Sequence, residues 1–142
     1  MATHRFVRLL TLAAVAVPLA GLIAGAQGAR TTKDGVYTEA QAKLGEATYK
    51  DRCAACHSDD LSGGIGPALS TDAFSGHWVD KSVGDLFTQV KSSMPADNPG
   101  SLSDSAYAEL VAFVLKSNGY PAGPQPLPSD AAKLQGVMFS KP

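Results

Sequence analysis

The sequence predicts an all-α domain. Three stretches repeat apolar residues at helical spacing, the first two open on residues able to cap them, and nowhere in the 142 residues is there a convincing strand alternation. The first stretch runs from about Glu39 to Arg52. Thr38 with Gln41 has the form of a capping box, and Ala40, Leu44 and Ala47, with Lys43 and Tyr49, recur near helical spacing. Gly45 inside this stretch costs helix propensity, which points to the close approach of another backbone. The second begins near Val83 and ends before Pro95, with Ser82 and Asp85 able to cap it and Val83, Leu86, Phe87 and Val90 as its stripe. The third begins after Ser103 or Asp104. Tyr107, Leu110, Val111, Val114 and Leu115 mark its inner side with Phe113 close by, and Asn118-Gly119 with Pro121 beyond stops it.

The connections read as irregular. Ser58 to Lys81 is rich in Gly, Ser and Asp and reads as a wrapping loop. After Tyr120, Pro121, Pro124, Pro126 and Pro128 rule out regular helix and suggest an extended segment laid over the domain, with room for a helical turn from Ser129 to Gln135.

The start of the chain has the layout of a secretory leader. His4, Arg5 and Arg8 precede an apolar run from Leu9 to Ile23, and the small residues Ala24 and Ala26 suit cleavage after Ala26. The run is short for a span, which needs about 20 residues; left uncleaved, it would serve as an anchor. The expected organisation is therefore a signal peptide over residues 1–26, a flexible lead-in over 27–35, a domain over 36–120 and a proline-rich extension over 121–142. Twelve Lys and Arg include Arg5 and Arg8, so ten remain against thirteen acids, a formal net charge of −3. That balance carries no basic patch for nucleic acid and favours partner contacts that are apolar with scattered charges.

Cys53 and Cys56 are the two cysteines, too close in sequence for a bridge to constrain much unfolded chain. Cys53-Ala-Ala-Cys56-His57 is instead the attachment pattern of one covalent c-type haem. Thiols three residues apart on a helical segment reach two vinyl groups on one porphyrin edge, and the adjacent His57 turns its imidazole to the iron. A thioredoxin-like pair shares the spacer but belongs beside a βαβ pattern, and zinc would need further ligands that His4 and His77 do not supply. His77 reads as a surface or loop histidine.

Met94 is the candidate for the second axial ligand. It is the only methionine between the leader and Met138, and it follows a helical stretch in Ser92-Ser93-Met94-Pro95. A thioether on iron favours the ferrous state; packing into the core is the alternative role. Ser62-Gly63-Gly64-Ile65-Gly66 lacks the preceding strand and the lysine of a phosphate loop, so a nucleotide site is not expected.

From about Thr38 to Gly119 the chain resembles the class I cytochrome c family, on the haem motif, Gly45 with Tyr49, Met94-Pro95 and an aromatic-apolar last helix. The resemblance implies the cytochrome c fold, a small helical domain wrapped around one covalent haem. It implies that Gly45 and Tyr49 meet Leu110 and Phe113 where the first and last helices cross. It further implies that the carbonyl of Pro67 supports His57 and that Trp78 contacts a haem propionate. Val36-Tyr37-Thr38 and Tyr120-Pro121 also resemble a bacterial subgroup associated with dehydrogenases, quinoprotein dehydrogenases among them. The acidic balance departs from the basic haem-edge ring of eukaryotic-like members. The expected function is one-electron carriage in the periplasm, without enzymatic chemistry. Its partners are redox proteins such as a quinoprotein dehydrogenase, a membrane cytochrome complex or a terminal oxidase. Membrane contact is expected only through a partner or an uncleaved leader.

Overall fold

Thr38, Ser82 and Ser103 each hold an extended backbone and accept a hydrogen bond from a backbone N–H three residues on, so every long helix begins on a side-chain cap. The computed structural model describes residues 30–70 and 72–141; the leader read over 1–26 lies outside them. In chain order the elements are β1 (Arg30–Thr31), a 3-10 turn (Thr32–Asp34), α1 (Glu39–Arg52), α2 (Ala54–His57), α3 (Asp72–Trp78), α4 (Val83–Ser93), α5 (Asp104–Ser117), α6 (Ala131–Leu134) and β2 (Val137–Met138). Among the described residues the domain is all-α apart from the parallel pairing of β1 with β2 and an isolated antiparallel bridge between Ser82 and Met138. Among the described residues no helix is long and apolar enough to cross a membrane.

The inner face of α1 differs from the expected stripe. Ala42, Gly45 and Tyr49 are buried, whereas Leu44 is 57% exposed and Ala40 and Ala47 face solvent. The reason is backbone proximity: a Cβ on Gly45 would run into the Glu109 carbonyl group of α5 and come within 2.9 Å of the Leu110 nitrogen. Small side chains, not large ones, let the two helices cross. Tyr49 and Phe113 then close the crossing with ring centroids 5.2 Å apart. The α5 stripe is as expected, and Ala108 and Ala112 are buried too, making α5 the central helix. Its end forms a Schellman arrangement, with Tyr120 N–H donating to Leu115 O, Gly119 N–H to Lys116 O, and Gly119 in the left-handed region.

The Thr38 cap is present, but Gln41 does not complete a box. Its side chain instead pairs with the backbone of Leu127, accepting from the N–H at 2.8 Å and donating to the carbonyl at 2.9 Å. The proline-rich extension is laid over the domain and built into it. Leu127, Leu134, Val137 and Phe139 join the core. From Arg30 on, the lead-in read as flexible is held: Arg30 pairs with Val137, and Thr32 Oγ1 lies 3.2 Å from Ser140 Oγ.

Two buried phenols tie these layers together. Tyr37 donates to Tyr120 O at 2.7 Å and Tyr49 to Ser58 O at 2.6 Å. Burial, with the Glu39 carboxylate adding to it at Tyr37, pushes the pKa of Tyr37 to about 12; burial is also the first cause for Tyr49, again to about 12. An unfolded tyrosine ionises near pH ~10. Their stabilisation is therefore complete below about pH 10 and lost as pH rises toward about 12. Urea midpoints measured across that window should fall steeply, and Tyr37→Phe should flatten part of the fall while costing about 1 kcal/mol at neutral pH.

Candidate functional site

Cys53 joins α1 to α2: its N–H closes the last turn of α1 on Tyr49 O, and its carbonyl accepts from Cys56 and His57. Ser58, at φ 66°, then ends the helix and turns the chain back. The returning loop is pinned to the motif it has left, with Gly63 N–H donating to His57 O at 3.0 Å and Gly66 N–H to Cys56 O at 2.9 Å. Asn118 at the end of α5 anchors the far side of this loop, donating to Leu69 O at 2.9 Å.

His57 is 6% exposed, and its Nδ1 lies 2.7 Å from the Pro67 carbonyl oxygen. A carbonyl only accepts, so Nδ1 carries a proton, and in the neutral ring the lone pair is then on Nε2. Gly66 leaves the room this ring needs, since a Cβ there would meet the imidazole at 2.6 Å. Gly66→Ala should displace the ring and break the bond to Pro67. An altered spin state in the optical spectrum of the haem-loaded variant, with the thioether attachment intact, would report it.

Cys53, Cys56, His57, Pro67, Trp78 and Met94 all line one cavity of about 880 Å³. The rest of its wall is mainly apolar, with Leu69, Phe74, Leu86, Val90, Leu110 and Val111 from four parts of the chain. Met94 is the C-cap of α4, its N–H bonded to Val90 O at 2.8 Å, and the peptide to Pro95 is cis. Tyr107 of α5 donates to Met94 O at 2.8 Å and fixes this backbone. The sequence marked Tyr107 only as part of a stripe. A tyrosine amid aliphatic residues needs a partner for its buried hydroxyl, and that need was the available signal.

Trp78 is 5% exposed and stands at the end of α3. That helix falls inside the stretch read as loop from Ser58 to Lys81; its seven residues are too few for a periodic signal, and its packing of Phe74 and Trp78 against the extension is what holds it. His77 is exposed on α3 at the cavity rim, with Nε2 3.0 Å from Lys81 Nζ.

These residues fit a c-type haem. The cavity is of porphyrin size, two unbridged thiols and an oriented imidazole share it, and Gly66 keeps the imidazole face clear. Burial raises the pKa of the Cys53 thiol, contrary to the depressed value of an attacking redox thiol. Among the described residues, no group of three or more His, Cys, Asp and Glu is placed to hold a metal ion.

Residues 40–114 match the family model described as cytochrome c oxidase, cbb3-type, subunit III. No curated protein and no solved structure matches the chain significantly. The matched stretch is more than half of the chain and contains the haem motif, the crossing of α1 with α5 and the Met94 turn, so this chain belongs to the cbb3-type subunit III family and is a class I c-type cytochrome, a haem-binding domain.

Proposed function

We propose that this protein carries one electron between exported or membrane redox partners, with Cys53 and Cys56 as thioether anchors and His57 and Met94 as axial ligands of one haem c. The observation that carries the reading is the shared cavity: an imidazole with a fixed tautomer and a thioether sulfur line the same apolar space. Haem bound there supplies a one-electron couple in a low-dielectric site. The chain's own residues do the rest. Pro67 holds the imidazole plane through Nδ1, and Tyr107 holds the Met94 backbone, so neither ligand need move between oxidation states. Leu86, Leu110 and Val111 exclude water from the wall. Trp78, which lines the cavity, would be the propionate contact that the family resemblance implies. No acid–base pair or nucleophile is required.

An optical redox titration of protein matured in a haem-attaching periplasm tests this reading. A low-spin c-type spectrum with the weak methionine-to-ferric charge-transfer band is expected. A high-spin spectrum would turn the reading toward a ligand-binding haem, and no haem at all toward the thiol pair.

The leader over residues 1–26 supports export to the periplasm. Donor and acceptor are redox proteins, with a quinoprotein dehydrogenase or membrane cytochrome complex on one side and a further cytochrome or terminal oxidase on the other. The family description favours a second setting, in which the domain serves as a fixed subunit of an oxidase. Stoichiometric co-purification with a membrane oxidase would support that setting; recovery in the soluble periplasmic fraction would support the mobile carrier.

A further inference from the structure

Phe139 lies beyond the stretch shared with the family, yet it packs against two residues that line the haem cavity. Phe139 is 4% exposed and does not itself line that cavity. Its ring centroid is 5.8 Å from Trp78 and 6.3 Å from Phe74, and both of those residues do line it. Tyr120 backs the cluster at 6.0 Å. The backbone of Phe139 is fixed as well, its N–H donating to Lys81 O at 2.9 Å just past α3.

The segment leading to Phe139 is anchored independently on α4. Leu134 is fully buried, and Gln135 accepts from Ser82 Oγ at 2.7 Å and donates to Asp85 Oδ1 at 3.2 Å. Gly84 lets α6 come this close, since a Cβ there would meet Ala131 O at 2.8 Å. On the far side β2 pairs with β1. Few degrees of freedom remain to the Phe139 ring.

We propose that Phe139 is a positioning residue for the haem site: from behind, it presses the Trp78 indole and the Phe74 ring into one wall, keeping the cavity dry and the reduction potential high. The proposal rests on the haem-carrier reading above. Water admitted to such a site favours the more highly charged ferric state, so loosening the wall lowers the potential.

The test compares Phe139→Leu and Phe139→Ala with Leu127→Ala, each as the full chain matured with covalent haem. Leu127 is 3% exposed in the same extension, does not line the cavity, and has its backbone held by Gln41 of α1. Trp78 is the single tryptophan, so its emission, quenched by haem when the indole is packed against the cavity, reports the wall directly. Both Phe139 variants should keep covalent haem, show a lower potential and gain Trp78 emission severalfold. Leu127→Ala should lower the melting temperature and leave both readouts where they were. Phe139→Leu keeps most of the buried volume and covers the case in which the alanine variant does not fold. An unchanged potential and emission in Phe139→Leu, or equal changes in Leu127→Ala, would overturn the proposal. If the unsubstituted protein lacks the methionine charge-transfer band, the ligand reading fails instead, while the contrast in Trp78 emission still decides the role of Phe139.

Discussion

Gly45→Ala should lower stability by about 3 kcal/mol or more. The added Cβ would fall on the Glu109 carbonyl of α5, a backbone group that cannot rotate away as a side chain could. Relief requires α1 and α5 to separate, and that crossing carries the Tyr49–Phe113 contact and the lead into Cys53. The gain in helix propensity, about 1 kcal/mol, does not offset the overlap. With roughly 4 °C per kcal/mol for a domain near this size, the melting temperature should drop by about 12 °C or more. Gly76→Ala is the matched control. It lies in α3, and a Cβ there meets nothing within 4 Å, so the same substitution should be neutral or slightly stabilising. Equal melting temperatures for the two variants would refute the close crossing.

Met94→Ala should leave the haem covalently attached and lower its potential by tenths of a volt, within the ~0.8 V range that axial ligands command. The substitution is clean for a structural reason. Tyr107 holds Met94 by the backbone carbonyl, and the α4 cap uses the Met94 N–H, so neither bond depends on the side chain. Loss of a half-buried side chain should cost about 2 kcal/mol, the low end for Met→Ala, so the protein stays folded while its ligand field changes. Spectroelectrochemistry reads both effects, with the charge-transfer band lost and the midpoint lowered. An unchanged midpoint and an unchanged ligand spectrum would remove Met94 from the iron.

The long helices and the haem motif were legible because each rests on local chemistry: a cap, a periodic stripe, a spacing of thiols. The ends of Glu39–Arg52 and the start of Val83–Ser93 were readable for this reason, while the end of the latter was bounded only by Pro95. The face of α1 was not legible. Hydrophobicity points to Leu44, but the crossing is governed by the absence of a side chain at Gly45, and only the approaching helix reveals which face that absence serves. The short helix from Asp72 to Trp78 and the pairing of Gln41 with Leu127 depend on residues far along the chain, which no local window contains. For the site, the family resemblance picked out Pro67 and Trp78, and both line the cavity. Tyr107 lines it as well and holds the Met94 backbone, and Phe139 packs against Trp78 from outside the lining, both at positions where a pattern reads only core.

The parallel sense of the β1–β2 pair gives the molecule a mechanical property. Tension applied between Arg30 and Lys141 pulls the two strands along their own lengths in opposite directions, because one is held at its first residue and the other beyond its last. The ladder is then loaded in shear, and its bonds must give way together instead of peeling open one by one. A tether at either end would strain this short latch before it reached the helices that surround the haem.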